Sequence, residues 1–256
     1  MNLSALPAFA DNYIWMLHDG TQAVVVDPGD AAPVVQALDD RGLQLAGILV
    51  THHHADHVGG VNALRVRLQG PVWGPAHENI PTPYTPLNEG DAIEVLGLHF
   101  SVLDVPGHTA GHIAYVQQGA ATAPLLFCGD TLFSAGCGRL FEGTPAQMHH
   151  SLAKFAALPA DAQVCCTHEY TLSNLRFAAA VEPGNAQRAA YGARCQALRA
   201  AGRPTLPSSI GLELQINPFL RCSAAEVVAA ARARGAVADD EISVLASLRE
   251  WKNNFR

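Results

Sequence analysis

The chain has 256 residues, 49% hydrophobic and 15% charged, which suffices for a large buried core and does not read as disordered. A formal net charge of −7 excludes the broad basic face of a nucleic-acid scaffold. No apolar run approaches bilayer length, and the opening "MNLSALPAFADNYIWML" has no basic n-region. A cytoplasmic protein with no membrane partner is expected.

The first two thirds read as short apolar strands between turn residues: "NYIWML" (12–17), "QAVVVD" (22–27) and "AGILVT" (46–51). Between the second and third, "DAAPVVQALDDRG" predicts a helix with Asp30 as N-cap and Gly42 as stop. "HVGGVNALRVRLQG" predicts another helix, starting near His57. Strands follow at 99–105, 112–118, 123–130 and 162–168, several apolar enough to be covered on both faces. "TPAQMHHSLAKFAAL" (144–158) opens with the Thr-Pro signal of a helix start.

After residue 170 four alanine-rich segments carry helical periodicity, with 203–221 as a Pro-rich connector. A sheet domain at 1–170 and a helical domain at 171–256 are expected. Six cysteines without a CxxC pair point to reduced thiols.

The chemistry concentrates in "THHHADHVGG" (51–60). On extended backbone, residues two apart share a side, so His52 and His54 converge while His53 faces away. Asp56 and His57 follow at the mouth of a helix. Imidazole and carboxylate suit zinc, iron or manganese. A chance H-x-H-x-D-H is expected in on the order of one chain in a thousand of this composition. His108, Asp130 and His168 each end a later apolar run. Together they suggest two cations: His52, His54, His108 and Asp130 on one, and Asp56, His57, His168 and Asp130 on the other. Asp27 is a candidate partner for a ligand histidine, and His112 a candidate support. Cys128 and the pair His149 and His150 read as packing or surface residues.

The order H-x-H-x-D-H, H, D, H resembles the metallo-β-lactamase superfamily, an α/β fold built as an αββα sandwich. With "DNYIWML", "PGHTAGH", "GCGRLFEGT", "THEYT", "INPFLR" and "LREWKNNF", the chain resembles the glyoxalase II (hydroxyacylglutathione hydrolase) family over essentially its whole length. The resemblance implies hydrolysis of the thioester S-D-lactoylglutathione to D-lactate and glutathione, the second step of methylglyoxal detoxification. Two divalent metal ions, with zinc first and iron or manganese as alternatives, would hold a bridging hydroxide that Asp56 orients or deprotonates. It also implies glutathione contacts at Arg139, Phe141, Tyr170, Arg249 and Lys252. Phe141 stands where many members carry tyrosine, which removes one hydrogen bond to the tripeptide. Without the resemblance, Arg249 and Lys252 read as the solvated face of a terminal helix. A monomer acting on a small molecule is expected. The nearest rivals are other hydrolases of the superfamily; Asp130, where the common zinc β-lactamases use cysteine, weighs against one of them. A metal-binding module without catalysis is the reading from another class.

Overall fold

The computed structural model describes residues 1–118 and 123–255. The chain forms two compact units, and they do not divide it at a single point. One unit contains residues 1–104, 110–129 and 165–168; the other contains 105–109, 130–164 and 169–256.

The first unit holds a six-stranded mixed sheet, in order Asn2–Ala8, Asn12–His18, Gln22–Val26, Gln44–Leu49, Val72–Pro75 and Thr85–Leu87. The first three strands pair antiparallel and the last three join in parallel. The strand Asn12–His18 is buried on nearly every residue, which is why its apolar run is unbroken. The helix Ala31–Arg41 connects the neighbouring parallel strands Gln22–Val26 and Gln44–Leu49. Asp30 caps it by accepting from Ala32 N, and Gly42 ends it with a left-handed φ of 64°. Val34, Ala37 and Leu38 pack from this helix into a cluster with Ile14, Met16 and Val25. A second sheet runs Leu125–Gly129, Ile113–Gln118, Leu98–Asp104, Ala92–Val95, all antiparallel. Tyr115 bridges the two sheets, its hydroxyl donating to Val50 O at 2.9 Å. Trp15 Nε1 does the same toward Cys166 O at 3.0 Å.

The single helix expected from His57 onward is not formed. Two short helices, Ala55–Val58 and Val61–Leu64, take its place, broken at Gly59–Gly60. The reason is a backbone approach that tolerates no side chain. A Cβ on Gly59 would lie 2.6 Å from Gly29 O, and one on Gly60 2.6 Å from Pro28 O. The break presses the loop after Asp27 against the turn carrying Asp56 and His57.

The second unit is mainly helical: Pro145–Ala156, Thr171–Val181, Ala186–Ala200, Ile210–Ile216, Ala225–Arg232 and Glu241–Asn253. Thr144 and Gln147 form a reciprocal capping box at the first of these. The Pro-rich segment 203–221 is more than a connector. It contains Ser208–Ser209, paired with Gln163–Val164, then a capped helix and a 3-10 turn at Pro218–Leu220. Phe177 is fully buried, stacked on Phe219 at 5.9 Å and edge-on to Trp251 at 5.1 Å. Burying one such ring is worth about 1.5–3 kcal/mol. All six cysteines are free thiols and buried. Among the described residues, no helix is long and apolar enough to cross a membrane.

Candidate active site

In the first unit the chain leaves Gln44–Leu49 and places His52 and His57 in full burial. Asp27, at the end of the neighbouring parallel strand, organises this turn. Its carboxylate accepts from Thr51 N and from Thr51 Oγ1, each at 2.7 Å. With that proton committed, Thr51 Oγ1 can only accept from His52 Nδ1, 3.1 Å away, which leaves Nε2 as the nitrogen a cation would take. Nε2 then faces His54 Nδ1 at 3.1 Å.

The same logic assigns His168. Its Nδ1 donates to the Asp11 carboxylate at 2.8 Å, which leaves Nε2 as the nitrogen a cation would take. That nitrogen lies 3.5 Å from Asp56 Oδ2, and His57 Nε2 lies 3.6 Å from the same oxygen. His57 Nδ1 is 3.1 Å from Asp27 Oδ2. Asn12 fixes Asp56 by donating from Nδ2 to Oδ2 at 3.0 Å. One potential ligand atom from each of Asp56, His57 and His168 falls within a 4.8 Å group, and likewise for Asp27, His52 and His57.

In the second unit His108 Nδ1 sits 2.9 Å from the carbonyl oxygen of Arg139, which can only accept. That leaves Nε2 as the nitrogen a cation would take, and it lies 3.4 Å from Asp130 Oδ2. Two units thus present one pattern. In each, Nε2 of a histidine lies near a carboxylate oxygen while Nδ1 is held by an acceptor. A divalent cation would take Nε2 and the carboxylate oxygen together as ligands. Outer carboxylates and carbonyls that hold Nδ1 are the ordinary support of histidine ligands. The donor set fits metal ions.

His108 and Asp130 also line one end of a cavity of about 380 Å³ in the second unit, with Phe133, Arg139, Phe141 and Tyr170. Phe141 is 63% exposed and meets the His108 ring edge-on at 5.3 Å. Lys252 lines the cavity too; its ammonium is 3.4 Å from Ser173 O. Burial, then repulsion from Arg249, Arg176 and Arg139, lower its pKa to about 8. Arg249 is not on a solvated face. It is 5% exposed, and Nη1 donates to Cys137 O at 2.7 Å.

Similarity to known proteins decides the family. The metallo-beta-lactamase superfamily model matches residues 9–168, and the hydroxyacylglutathione hydrolase C-terminus model matches 169–255. The hydroxyacylglutathione hydrolase of Albidiferax ferrireducens is 60% identical, with all of both chains covered. The chain belongs to the hydroxyacylglutathione hydrolase family. A Pseudomonas aeruginosa member is 57% identical, again over all of both chains. The fold is that of the metallo-β-lactamase superfamily with a C-terminal helical region. ETHE1 from Myxococcus xanthus shares it with a TM-score of 0.68 at 24% identity, covering 100% of this chain and 92% of that one. TTHA1623, solved in a di-iron-bound form, has a TM-score of 0.59 at 27% identity, covering 86% and 100%.

Within that family frame, five expected ligands lie in the first unit (His52, His54, Asp56, His57 and His168) and two in the second (His108 and Asp130). His53 turns away, its Nδ1 donating to Glu78 at 2.8 Å. His112 stacks on His52, with ring centroids 4.5 Å apart, and Cys128 is core. His149 is at the surface, 3.0 Å from Glu241. Sequence reading did not single out Asp11, Asn12, Thr51 or Glu78. "DNY" marks the first two as a motif, but a lone acid such as Glu78 carries no local signal.

Proposed function

We propose that this chain hydrolyses the thioester S-D-lactoylglutathione to D-lactate and glutathione, using two divalent metal ions. The observation that carries the metal reading is how the histidines are held. His52, His108 and His168 are each held through Nδ1, which leaves Nε2 for a ligand. His52, His54, His108 and Asp130 would hold one ion, and Asp56, His57, His168 and Asp130 the other. Imidazole and carboxylate ligands suit zinc first, then iron or manganese. Bound there, the ions supply a nucleophilic water at neutral pH and a Lewis acid for the carbonyl.

The chain's own residues do the rest. Asp56, its Oδ2 fixed by Asn12, orients the attacking water and takes its proton. A thiolate leaves readily, so the site needs no strong general acid. Glutathione brings two carboxylates, and the lining of the second-unit cavity offers Arg139, Tyr170, Arg249 and Lys252. Phe141 supplies an apolar ring in place of a hydroxyl. In this reading residues 1–170 form the catalytic domain, which also supplies Arg139, Phe141 and Tyr170 to the substrate, and 171–256 form the helical substrate-binding domain with Arg249 and Lys252. This reading takes the chain as a cytoplasmic monomer without nucleic-acid or membrane partners, and its charge of −7 weighs against the nucleic acid.

The test is a thioesterase assay across glutathione and coenzyme A thioesters and lactones, paired with elemental analysis of protein purified without chelator. About two metal ions per chain and preference for the glutathione thioester are expected. Full activity in metal-free protein would overturn the mechanism, and preference for a lactone would overturn the substrate.

A further inference from the structure

Glu78 lies in the loop after the strand Val72–Pro75, and its side chain is 2% exposed. A carboxylate is buried at a heavy cost unless its oxygens are satisfied. Here both oxygens work on loops that carry the candidate metal centre. Oε2 accepts from His53 N at 2.6 Å and from His53 Nδ1 at 2.8 Å. Oε1 accepts from Gly111 N at 3.1 Å. His53 stands between His52 and His54, and Gly111 precedes His112, whose ring stacks on His52.

The approach to Gly111 is too close for a side chain. A Cβ there would lie 2.7 Å from Glu78 Cγ and 2.8 Å from His77 O. The loop bearing Glu78 is itself anchored. Ala76 N donates to Leu87 O at 2.9 Å, and Ile80 N to Glu78 O at 3.1 Å. The carboxylate is thus a fixed point to which two loops are tied. Turning the His53 ring toward Glu78 also keeps a third imidazole out of the cluster.

We infer that Glu78 is a positioning residue for the metal centre: one carboxylate clamps the His52–His54 backbone and the Gly111 turn, presetting the two imidazoles before metal arrives. This rests on the metal reading above. The bond to His53 N needs no imidazole, so the clamp acts mainly through backbone. Supporting groups of this kind change metal affinity about tenfold to a hundredfold when removed.

The experiment compares wild type, Glu78→Ala, Glu78→Gln, His53→Ala and Gly111→Ala. Each is measured for zinc affinity by competition with a chromogenic chelator, for the ligand-field spectrum of the cobalt form, for kcat and KM, and for the melting temperature of the metal-free protein. Glu78→Ala should weaken zinc binding about tenfold to a hundredfold, shift the cobalt spectrum and lower kcat with KM held. Glu78→Gln keeps one acceptor oxygen and should fall between. His53→Ala keeps the amide bond and should stay within about twofold of wild type in affinity. Gly111→Ala should follow Glu78→Ala. A lower metal-free melting temperature with an unchanged cobalt spectrum and zinc affinity would reduce Glu78 to a structural residue and overturn the inference. If Glu78→Ala does not fold, Glu78→Gln decides by the same two readouts. Wild type that loads no metal sinks the functional reading instead, so the two failures are distinguishable.

Discussion

Lys252 titrates in the working range, because burial and three neighbouring arginines hold its pKa near 8 rather than 10.5. Only the ammonium attracts a carboxylate. The KM for the glutathione thioester should therefore rise as pH passes upward through about 8, while kcat is little changed by this group. Lys252→Arg, charged throughout, should remove that rise, and Lys252→Ala should raise KM at pH 7 by about tenfold at most. KM measured from pH 6.5 to about 9.5 in both variants checks it; an identical pH profile in Lys252→Arg would exclude Lys252 as the cause. The stability sign is opposite. Between the folded pKa and the unfolded value the unfolded chain binds more protons, so this residue makes stability increase with pH across that window. Asn12 gives a second residue-scale expectation. Its amide fixes Asp56 Oδ2 at 3.0 Å, and removing it frees the carboxylate to rotate. Asn12→Ala should lower kcat at least tenfold with KM unchanged, consistent with loss of orientation at the reacting group. Steady-state kinetics at saturating metal would show this, and a KM effect alone would place Asn12 with the substrate.

At the scale of elements, the terminal helix Glu241–Asn253 does two different jobs three residues apart. Arg249 reaches back to Cys137 O at 2.7 Å and to Gly138 O at 3.5 Å. Arg139 follows, and its carbonyl holds His108 Nδ1. The same loop is held from the other side by the buried Glu213, which accepts from Ala135 N at 2.7 Å, and by Asn217, which donates to Gly136 O at 2.9 Å. Burial raises the pKa of Glu213 against those hydrogen bonds. Arg249→Ala leaves buried carbonyls without their charged donor, so a loss of about 2–3 kcal/mol in unfolding free energy is expected. Lys252→Ala removes a partly buried ammonium and should raise stability modestly at pH 7 rather than lower it. Urea melts of both variants, with kcat recorded alongside, check it. A stable Arg249→Ala protein changed only in KM would show that its guanidinium serves the substrate alone.

At the scale of the whole molecule, bound metal belongs to the stability of the fold. Ions that bind only the folded chain stabilise it by RT ln(1 + [L]/Kd), about 2.7 kcal/mol for one site at a free concentration a hundredfold above Kd. Chelation should lower the melting temperature, and readdition of zinc should restore it. Calorimetry with and without chelator tests this, and coincident melts would argue that no site is occupied. Oxidation should matter little by comparison, since every cysteine is buried and free.

Periodicity and local chemistry were enough for much of this. The helix Ala31–Arg41 was legible because Asp30 and Gly42 are both present, and a cap acts within its own turn. The seven ligand candidates were legible because "THHHADH" and three strand-end polar residues need no distant partner to be noticed. The family followed from motifs along the whole chain. What local sequence could not contain is the set of contacts closed between distant positions. Gly59–Gly60 looked compatible with one helix until the backbone of Gly29 and Pro28 arrived against it. The stretch 203–221 looked like linker until Ser208–Ser209 paired with Gln163–Val164. Arg249 looked solvated because helical spacing does not report a loop 112 residues earlier. Spacing pointed to the candidate ligands, but what holds Nδ1 of His52, His108 and His168 is Thr51, Arg139 and Asp11, whose roles exist only once the fold brings them within hydrogen-bond reach.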